Sequence, residues 1–291
     1  MFTIFSMIYL IASIVSSTAI YVVFRWAKNY SCKLNALITI NYLVASILGF
    51  GFLMKFDTRP FVENNQWLPF GIILGVMYIL MFFLIGTSSQ KAGITVTTLA
   101  NKLSLVFPVF FSLFWFNEQI TTLKYFGIAG AIAAVMLTLY KKDVKKTNFF
   151  YFALPVAIFV GSGFIDSFIK YVQAMQITEA LSAAFSSFVF FTAFICGIII
   201  TGIKSLNKKT KLHIPTLVLG TLLGLANFGS LFFILQALNK SQLESSLVFS
   251  LNNMIIVALS AILGFFIFKE KLNRINIFGI ALAILSLYIL L

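Results

Sequence analysis

The hydrophobic residues of this 291-residue chain fall into ten long runs that are separated by short polar gaps. Each run has about the 20 residues that an α-helix needs to cross the hydrocarbon core of a bilayer, and strict alternation of apolar and polar positions is not the pattern. We therefore predict an all-α integral membrane protein with ten transmembrane helices. The runs cover residues 5–24, 35–54, 67–87, 92–115, 122–140, 149–169, 180–202, 214–236, 242–267 and 274–291.

The first run is expected to be a retained span rather than a signal peptide. It begins apolar at Phe2 without a basic segment before it, and it is too long for the apolar region of a signal peptide. The longest polar gap covers residues 55–66, so no soluble domain is predicted between the spans.

Part of the sequence is present twice. FNEQITTLKYFGIAGAI begins at Phe116 and returns without a gap as FKEKLNRINIFGIALAI, which begins at Phe268. The register extends over residues 88–139 and 240–291, and its identical pairs include Gln90/Gln242, Asn101/Asn253, Glu118/Glu270, Phe126/Phe278, Gly127/Gly279 and Ala131/Ala283. We place the two halves at residues 1–146 and 147–291. Because five spans are an odd number, the second copy would enter the membrane in the opposite orientation, which predicts two inverted five-helix repeats.

Glycine pairs recur at equivalent positions of the third and eighth spans. Gly71 and Gly75 lie in one, and Gly220 and Gly224 in the other. Small residues four positions apart allow helix backbones to approach closely in lipid. The sequence therefore predicts close helix packing at both pairs.

Composition supports a membrane protein. Hydrophobic residues make up 60% of the chain, charged residues only 10%, and the mean hydropathy is +1.02. The net charge of +13 is spread over the gaps between spans, so it indicates membrane topology rather than nucleic-acid binding. Fifteen Lys and Arg residues lie on one side and five on the other, the five being Lys55, Arg59, Lys124, Lys170 and Lys240. The positive-inside rule then places both termini outside.

The two FxE…FG segments resemble those of the drug/metabolite transporter superfamily, specifically proteins with tandem EamA-type domains. In this resemblance Glu118 and Glu270 follow the fourth helix of each half, although Asn117 and Lys269 replace the usual Gly, and Pro108 becomes Ser260 in the second copy. The resemblance implies a carrier for small metabolites, often an exporter, in which the first four helices of each half line a central cavity. We expect the two Glu residues to brace the turn into the next helix rather than to bind substrate.

Lys102 is the most informative charged residue. It lies about ten residues into the fourth run, or roughly 15 Å along a helix, near the middle of the membrane. A lysine there costs at least about 2.5–3.5 kcal/mol, so it should face a cavity or a partner. We predict that it is a counter-charge for a substrate carboxylate or phosphate. The alternative is a lysine that extends to the membrane surface, or one that lies less deep because the helix starts later.

Asp166 is the only carboxylate well inside a predicted span. Lys170 follows four residues later on the same helix face, so a structural ion pair is the favoured interpretation. The alternative is a site of proton coupling, because burial away from water favours the protonated carboxyl group.

Amides occupy matching depths in the two halves. Asn101 and Asn253 are equivalent in the fourth and ninth spans, and Asn252 extends the second site. Tyr78 and Asn227 are nearly equivalent in the third and eighth spans. These residues are candidate substrate ligands, and interhelical hydrogen bonds are an equally good interpretation.

Two further residue types are assigned by position. Pro108 is expected to kink the fourth span beyond Lys102, which could serve gating. Trp26, Trp67 and Trp115 lie near span ends and are expected to be interfacial anchors.

The sequence indicates no cofactor and no metal site, and it carries no motif of a known enzyme type. We predict a secondary transporter, working as an exporter, of small polar or amphipathic metabolites such as amino-acid-like compounds or organic anions. It would work by alternating access as a monomer or homodimer, without nucleic acid, in a bacterial inner membrane. The alternatives are a non-transporting receptor or assembly protein on the same fold, and an intramembrane enzyme.

Overall fold

The computed structural model describes residues 4–63, 65–115, 122–140, 150–175, 179–206, 213–240 and 245–290. Over these residues the chain is built from helices. They are α1 (Ile4–Asn29), α2 (Leu34–Leu48) with a π-helical turn at Gly49–Leu53, α3 (Arg59–Glu63), α4 (Leu68–Lys91), α5 (Ile94–Leu103), α6 (Val106–Trp115), α7 (Thr122–Leu139), α8 (Phe150–Met175), α9 (Glu179–Leu206), α10 (Ile214–Lys240), α11 (Ser245–Phe266) and α12 (Arg274–Ile289).

Every apolar run of the sequence coincides with helix, and the fourth run is divided between α5 and α6. In the described part of the chain, seven helical segments are long and apolar enough to cross a membrane. Three shorter apolar segments accompany them, at Tyr125–Leu139, Leu251–Phe266 and Arg274–Ile289. The all-helical membrane fold is thus confirmed, whereas the count of ten spans stays a prediction.

The fourth span is interrupted where the sequence places its proline. α5 ends at Leu103 and α6 begins at Val106, with a turn at Ser104 and Leu105. Pro108 has no N–H to donate to the carbonyl oxygen of Ser104, and the N–H of Phe107 donates to that oxygen instead at 2.9 Å. In the second half, Ser260 occupies the equivalent position and α11 runs without interruption from Ser245 to Phe266. The predicted kink is therefore present, and only in the first half.

The two glycine pairs lie at tight helix contacts, as predicted. A Cβ atom at Gly75 would come within 2.6 Å of Thr192 on α9, and Gly71 lies equally close to Phe188 on the same helix. Gly220 and Gly224 lie in the same way against Ile40 and Val44 of α2. Thus α4 packs on α9 in the way that α10 packs on α2.

The last helices of the two halves, α7 and α12, pack against each other. Asn276 in the first turn of α12 donates from Nδ2 to the carbonyl oxygens of Leu137, Thr138 and Tyr140 at 2.9–3.1 Å. These carbonyls lie at the end of α7 and lack partners within that helix. Gly127 and Gly279 allow the close approach, because each faces side chains of the other helix.

The prediction for Trp67 was wrong. Its side chain is fully buried and packs among Phe61, Phe185 and Phe188, with ring centroids 5.3–6.0 Å apart. The indole precedes α4 and is covered by α3 and α9, which shield it from a membrane surface. Trp26 is 41% exposed, and the side chain of Trp115 lies outside the described residues.

Candidate functional site

A cavity of about 690 Å³ lies inside the bundle. A volume of this size suits a small molecule. All eight site residues that the sequence predicted line this one space. Its lining comprises Ser17, Tyr42, Tyr78, Phe82, Asn101, Lys102, Leu105, Pro108, Asp166, Ile169, Lys170, Phe190, Asn227, Ser230, Leu231, Ile234, Phe249, Asn252 and Asn253.

The lining comes from the first four membrane segments of each half. In the first half these are α1, α2, α4 and the α5–α6 pair, and in the second half α8, α9, α10 and α11. Of the described residues of α7 and α12, none lines the cavity. This division agrees with what the family resemblance implies.

Lys102 and Asp166 place opposite charges in the cavity, one at the end of α5 and the other on α8. They are close enough for their charges to interact. Asp166 Oδ2 also accepts a hydrogen bond from Ser104 Oγ at 3.1 Å. Because Ser104 lies in the turn between α5 and α6, this bond joins the interruption of the fourth span to α8. The expected pairing of Asp166 with Lys170 stays a prediction, although Lys170 lines the same cavity.

The hydroxyl groups of two tyrosines lie near the same carboxylate. Tyr78 on α4 lines the cavity, Tyr21 on α1 is buried behind it, and both interact electrostatically with Asp166. Asp166 therefore lies within electrostatic range of Lys102, Tyr21 and Tyr78, and Ser104 donates a hydrogen bond to it. Such groups can stabilise a buried carboxylate by hydrogen bonds or by opposite charge.

The amides divide into two kinds. Asn41 is fully buried on α2, and its amide, oriented by its neighbours, donates to the carbonyl oxygen of Leu223 at 3.1 Å and lies 3.3 Å from the amide of Asn227. Asn227 therefore contributes to the contact between α2 and α10 as well as to the cavity. Asn101, Asn252 and Asn253 line the cavity from α5 and α11.

Two buried polar atoms in the lining have no hydrogen-bond partner within the described part of the chain. They are Asn252 Oδ1 and the hydroxyl group of Tyr42. A buried polar atom without a partner carries a cost, which a ligand can remove by forming the missing hydrogen bond. Both residues line the cavity, but these two atoms are themselves buried and do not face its free space in this conformation.

Aromatic side chains form one wall of the cavity. Tyr42 packs on Phe82 with ring centroids 5.1 Å apart, and on Phe190 at 6.4 Å. Sequence reasoning missed all three residues. A tyrosine in the middle of a span was a usable signal for Tyr42, whereas nothing distinguishes Phe82 and Phe190 among 35 Phe residues. The wall gives an apolar surface beside the charges, which suits an amphipathic ligand.

Glu270 has the structural role that was expected, but at a different helix. Its Oε1 accepts from the N–H of Ile94 at 2.6 Å, and its Oε2 accepts from the N–H of Thr95 at 3.3 Å. The carboxylate therefore caps α5 in the other half of the chain, not the helix that follows it. Glu118, its counterpart in the repeat, lies outside the described residues.

No group of three or more His, Cys, Asp or Glu residues is arranged to hold a metal ion in the described ranges. The charged residues of the cavity are instead two lysines and one aspartate, in a space lined by amides and rings, which is a set suited to binding a small organic molecule.

Comparison with known proteins shows a similarity to one family. Residues 4–140 match the EamA-like transporter family. The match covers a little less than half of the chain, and residues 4–140 are thus similar to this family. This similarity, together with the seven helical segments of the described residues that are long and apolar enough to cross a membrane, indicates an integral multi-pass membrane protein.

Two similar proteins extend this comparison over nearly the whole chain. An uncharacterized protein of Haemophilus influenzae is 24% identical over 288 residues, which cover 97% of this chain and 96% of the relative. A protein of known crystal structure is 12% identical with a TM-score of 0.62, and the match covers 98% of this chain and 96% of that one. The structural similarity shows that the fold is shared from end to end.

Proposed function

We propose that this protein is a secondary transporter that binds a small polar or amphipathic metabolite in the central cavity. The observation that carries the proposal is the cavity itself. It is lined by two lysines, a carboxylate and the amides of four asparagines, in a chain whose residues 4–140 match a transporter family. A charged group in a membrane interior is costly and is retained where it has a function.

The chemistry of the lining favours a substrate with an anionic group. Lys102 would bind a carboxylate or phosphate, and the amides of Asn101, Asn252 and Asn253 would orient the polar part of the substrate. Asp166 and Tyr78 would bind an ammonium group where one is present, and Asn227 would complete the polar wall. Amino-acid-like compounds and organic anions both fit this arrangement, with their apolar parts against Phe82 and Phe190.

The transport cycle would be alternating access by two inverted halves, residues 1–146 and 147–291, each with five spans. Equivalent packing of the halves supports this proposal, because α4 contacts α8 and α9 as α10 contacts α1 and α2. The cavity is lined from both halves, so a rocking motion would expose it to either side in turn. Export across a bacterial inner membrane, by a monomer or homodimer, is the form of the cycle that we propose.

Two residues of the lining would link the cycle to an energy source. Asp166 would take up and release a proton, because its interaction with Lys102 is lost when a substrate anion binds the lysine. Pro108 would serve gating, since it interrupts the fourth span beside Ser104, which donates to Asp166. A change of charge at Asp166 would thus alter its hydrogen bond to Ser104, in the turn that separates α5 from α6.

The test is a transport assay in proteoliposomes with a panel of amino acids and organic acids, with and without a pH gradient. We expect uptake or efflux of at least one anionic or zwitterionic compound. We also expect the pH gradient to change the rate in the wild type but not in Asp166→Asn. Failure to move any compound under either condition would contradict the proposal. Transport that responds equally to the gradient in Asp166→Asn would retain the transporter and remove Asp166 from coupling.

A receptor or assembly role would be favoured if phenylalanine side chains filled the cavity. Phe82, Phe190 and Phe249 do line it, and a space of about 690 Å³ remains between them and the polar residues.

A further inference from the structure

The two ends of the bundle differ in how the cavity relates to them. One end, which we name the basic end, contains the ends of α1, α4 and α11 and the start of α5, with Arg25, Lys28, Lys91 and Lys269 nearby. Asn101 is the first cavity residue along α5, about two turns or roughly 10 Å beyond its start. The cavity therefore stops well short of the basic end.

The layer between the cavity and the basic end is buried. Phe24, Ser88, Ile94, Thr97 and Thr98 are each fully inaccessible to solvent. Ser88 Oγ and Thr97 Oγ1 lie 2.7 Å apart and join α4 to α5 by a hydrogen bond. This layer closes the basic end in the conformation described here.

The outermost contact of this layer is made by Glu270. Its carboxylate accepts from the N–H groups of Ile94 and Thr95, which are the first two of α5 and have no partner within the helix. A carboxylate at a helix N-terminus also interacts favourably with the helix dipole. One side chain of the second half therefore holds the first turn of a helix of the first half.

The surrounding backbone is shaped for this contact. Lys269 has φ +52°, a left-handed conformation that directs the chain back toward α5 after α11 ends. Glu270 N–H donates to the carbonyl oxygen of Gly264 at 2.9 Å. Gly93, with φ +107°, and Gly264 both leave space that a Cβ atom would take from the carboxylate, since each would place it within 2.5–2.7 Å of a carboxylate oxygen.

α5 also carries two residues of the candidate binding site, Asn101 and Lys102. The start of this helix is fixed by Glu270 at the basic end, and its last turn reaches the cavity. Movement of α5 as a unit would therefore change the access path and the binding residues together.

We propose that Glu270 is a positioning residue that holds α5 in place and so keeps the basic end of the cavity closed. Release of its carboxylate from the first turn of α5 opens the path between the cavity and that side of the membrane. This inference rests on the proposed function for its purpose, but the contact and its effect on access can be tested without a known substrate.

The test uses a single cysteine in the cavity, Leu231→Cys, in a chain with Cys32→Ser and Cys196→Ser. A membrane-impermeant maleimide is applied from the basic side of sealed vesicles. We expect labelling about tenfold faster or more in Glu270→Ala, because a charge-assisted cap is lost.

Gly264→Ala should act in the same direction by displacing the carboxylate. Glu270→Gln, which keeps an acceptor, should restore much of the slow labelling. Gly202→Ala is the matched glycine control, since a Cβ atom there meets nothing within 4 Å.

Hydrogen exchange separates local opening from unfolding. In Glu270→Ala we expect faster exchange at the start of α5 and unchanged exchange in α7 and α12. The proposal is overturned if labelling from the basic side stays slow in both Glu270→Ala and Gly264→Ala, or if exchange rises in every helix. Faster labelling in a protein that transports no compound would support the role of Glu270 and contradict the proposed transport function. The failure of one proposal can therefore be told from the failure of the other.

Discussion

At the scale of single residues, Lys102 is the residue whose depth in the membrane most clearly indicates a function. A lysine at mid-depth costs roughly 2.5–3.5 kcal/mol by insertion scales, and its counterpart in the repeat, Met254, shows that the fold accepts an apolar side chain of similar length at this register. The structure places the lysine in the cavity beside Asp166. The first half therefore retains a lysine at mid-depth that destabilises the protein, whereas the second half has an uncharged residue at the equivalent position.

Replacing Lys102 with Met should abolish transport of anionic substrates and leave the fold intact. The substitution removes the charge and keeps the length of the side chain, so we expect an unchanged elution profile in detergent. Uptake in proteoliposomes should fall at least about tenfold, as expected for the loss of one charge-assisted contact. Lys271→Met, at an exposed position outside the cavity, is the control. Equal uptake by both variants would remove Lys102 from the site.

The sequence was sufficient to find residues that are chemically unusual for their depth. Lys102, Asp166 and the paired asparagines were all predicted to lie inside the membrane, and they line one cavity. The partners of Glu270 could not be predicted from the sequence, since Ile94 and Thr95 precede it by 176 and 175 residues and belong to the other half. A contact between two segments depends on how helices pack, and no local pattern encodes it.

At the scale of helices, the two copies of the fourth span differ by one physical cause. Pro108 cannot donate to Ser104, so the helix breaks there, whereas Ser260 allows α11 to continue. The sequence predicted this break because proline acts locally. It could not predict that Ser104 would donate to Asp166 from the turn, which requires the position of α8.

Gly75 provides a test of helix packing. A Cβ atom there would come within 2.9 Å of the backbone oxygen of Val189 and within 2.6 Å of Thr192, so α4 and α9 must separate to accept it. We expect Gly75→Ala to reduce stability by about 1–3 kcal/mol, the usual cost of overpacking.

The measurement is the thermal unfolding temperature of the purified protein in detergent. Gly202→Ala, on the exposed side of α9, should change it little or raise it slightly, because alanine favours a helix more than glycine does. If both substitutions have the same effect on unfolding, the close contact at Gly75 does not contribute to stability.

At the scale of the whole molecule, helices of the first predicted half pack on helices of the second in equivalent pairs. α4 packs on α8 and α9, α10 packs on α1 and α2, and α7 and α12 pack on each other. The sequence predicted the repeat from a 17-residue match, but not these partners, since the match covers the last spans and leaves the first ones weakly related. Trp67 is buried for the same reason, because α9 of the other half covers it.

The inverted arrangement makes a definite prediction for two equivalent gaps. Asn65 lies in the gap after the second predicted span, and Asn207 lies in the gap after the seventh, which is its counterpart. Counting of Lys and Arg places the first gap outside and the second inside. In a chain with Cys32→Ser and Cys196→Ser, we therefore expect Asn65→Cys to react with an impermeant maleimide from the outside only. Asn207→Cys should react only after the vesicles are opened.

Cys32 gives an internal reference for sidedness, because it lies in the gap after α1 on the predicted inner side. A chain that keeps it and carries Cys196→Ser should react in the same way as Asn207→Cys. Two halves in parallel orientation would place Asn65 and Asn207 on the same side, and both would then label together. That result would exclude the inverted repeat. It would also exclude the proposed transport cycle, which depends on two halves of opposite orientation. Opposite labelling with Asn65 inside would keep the repeat and reverse the orientation of the whole protein.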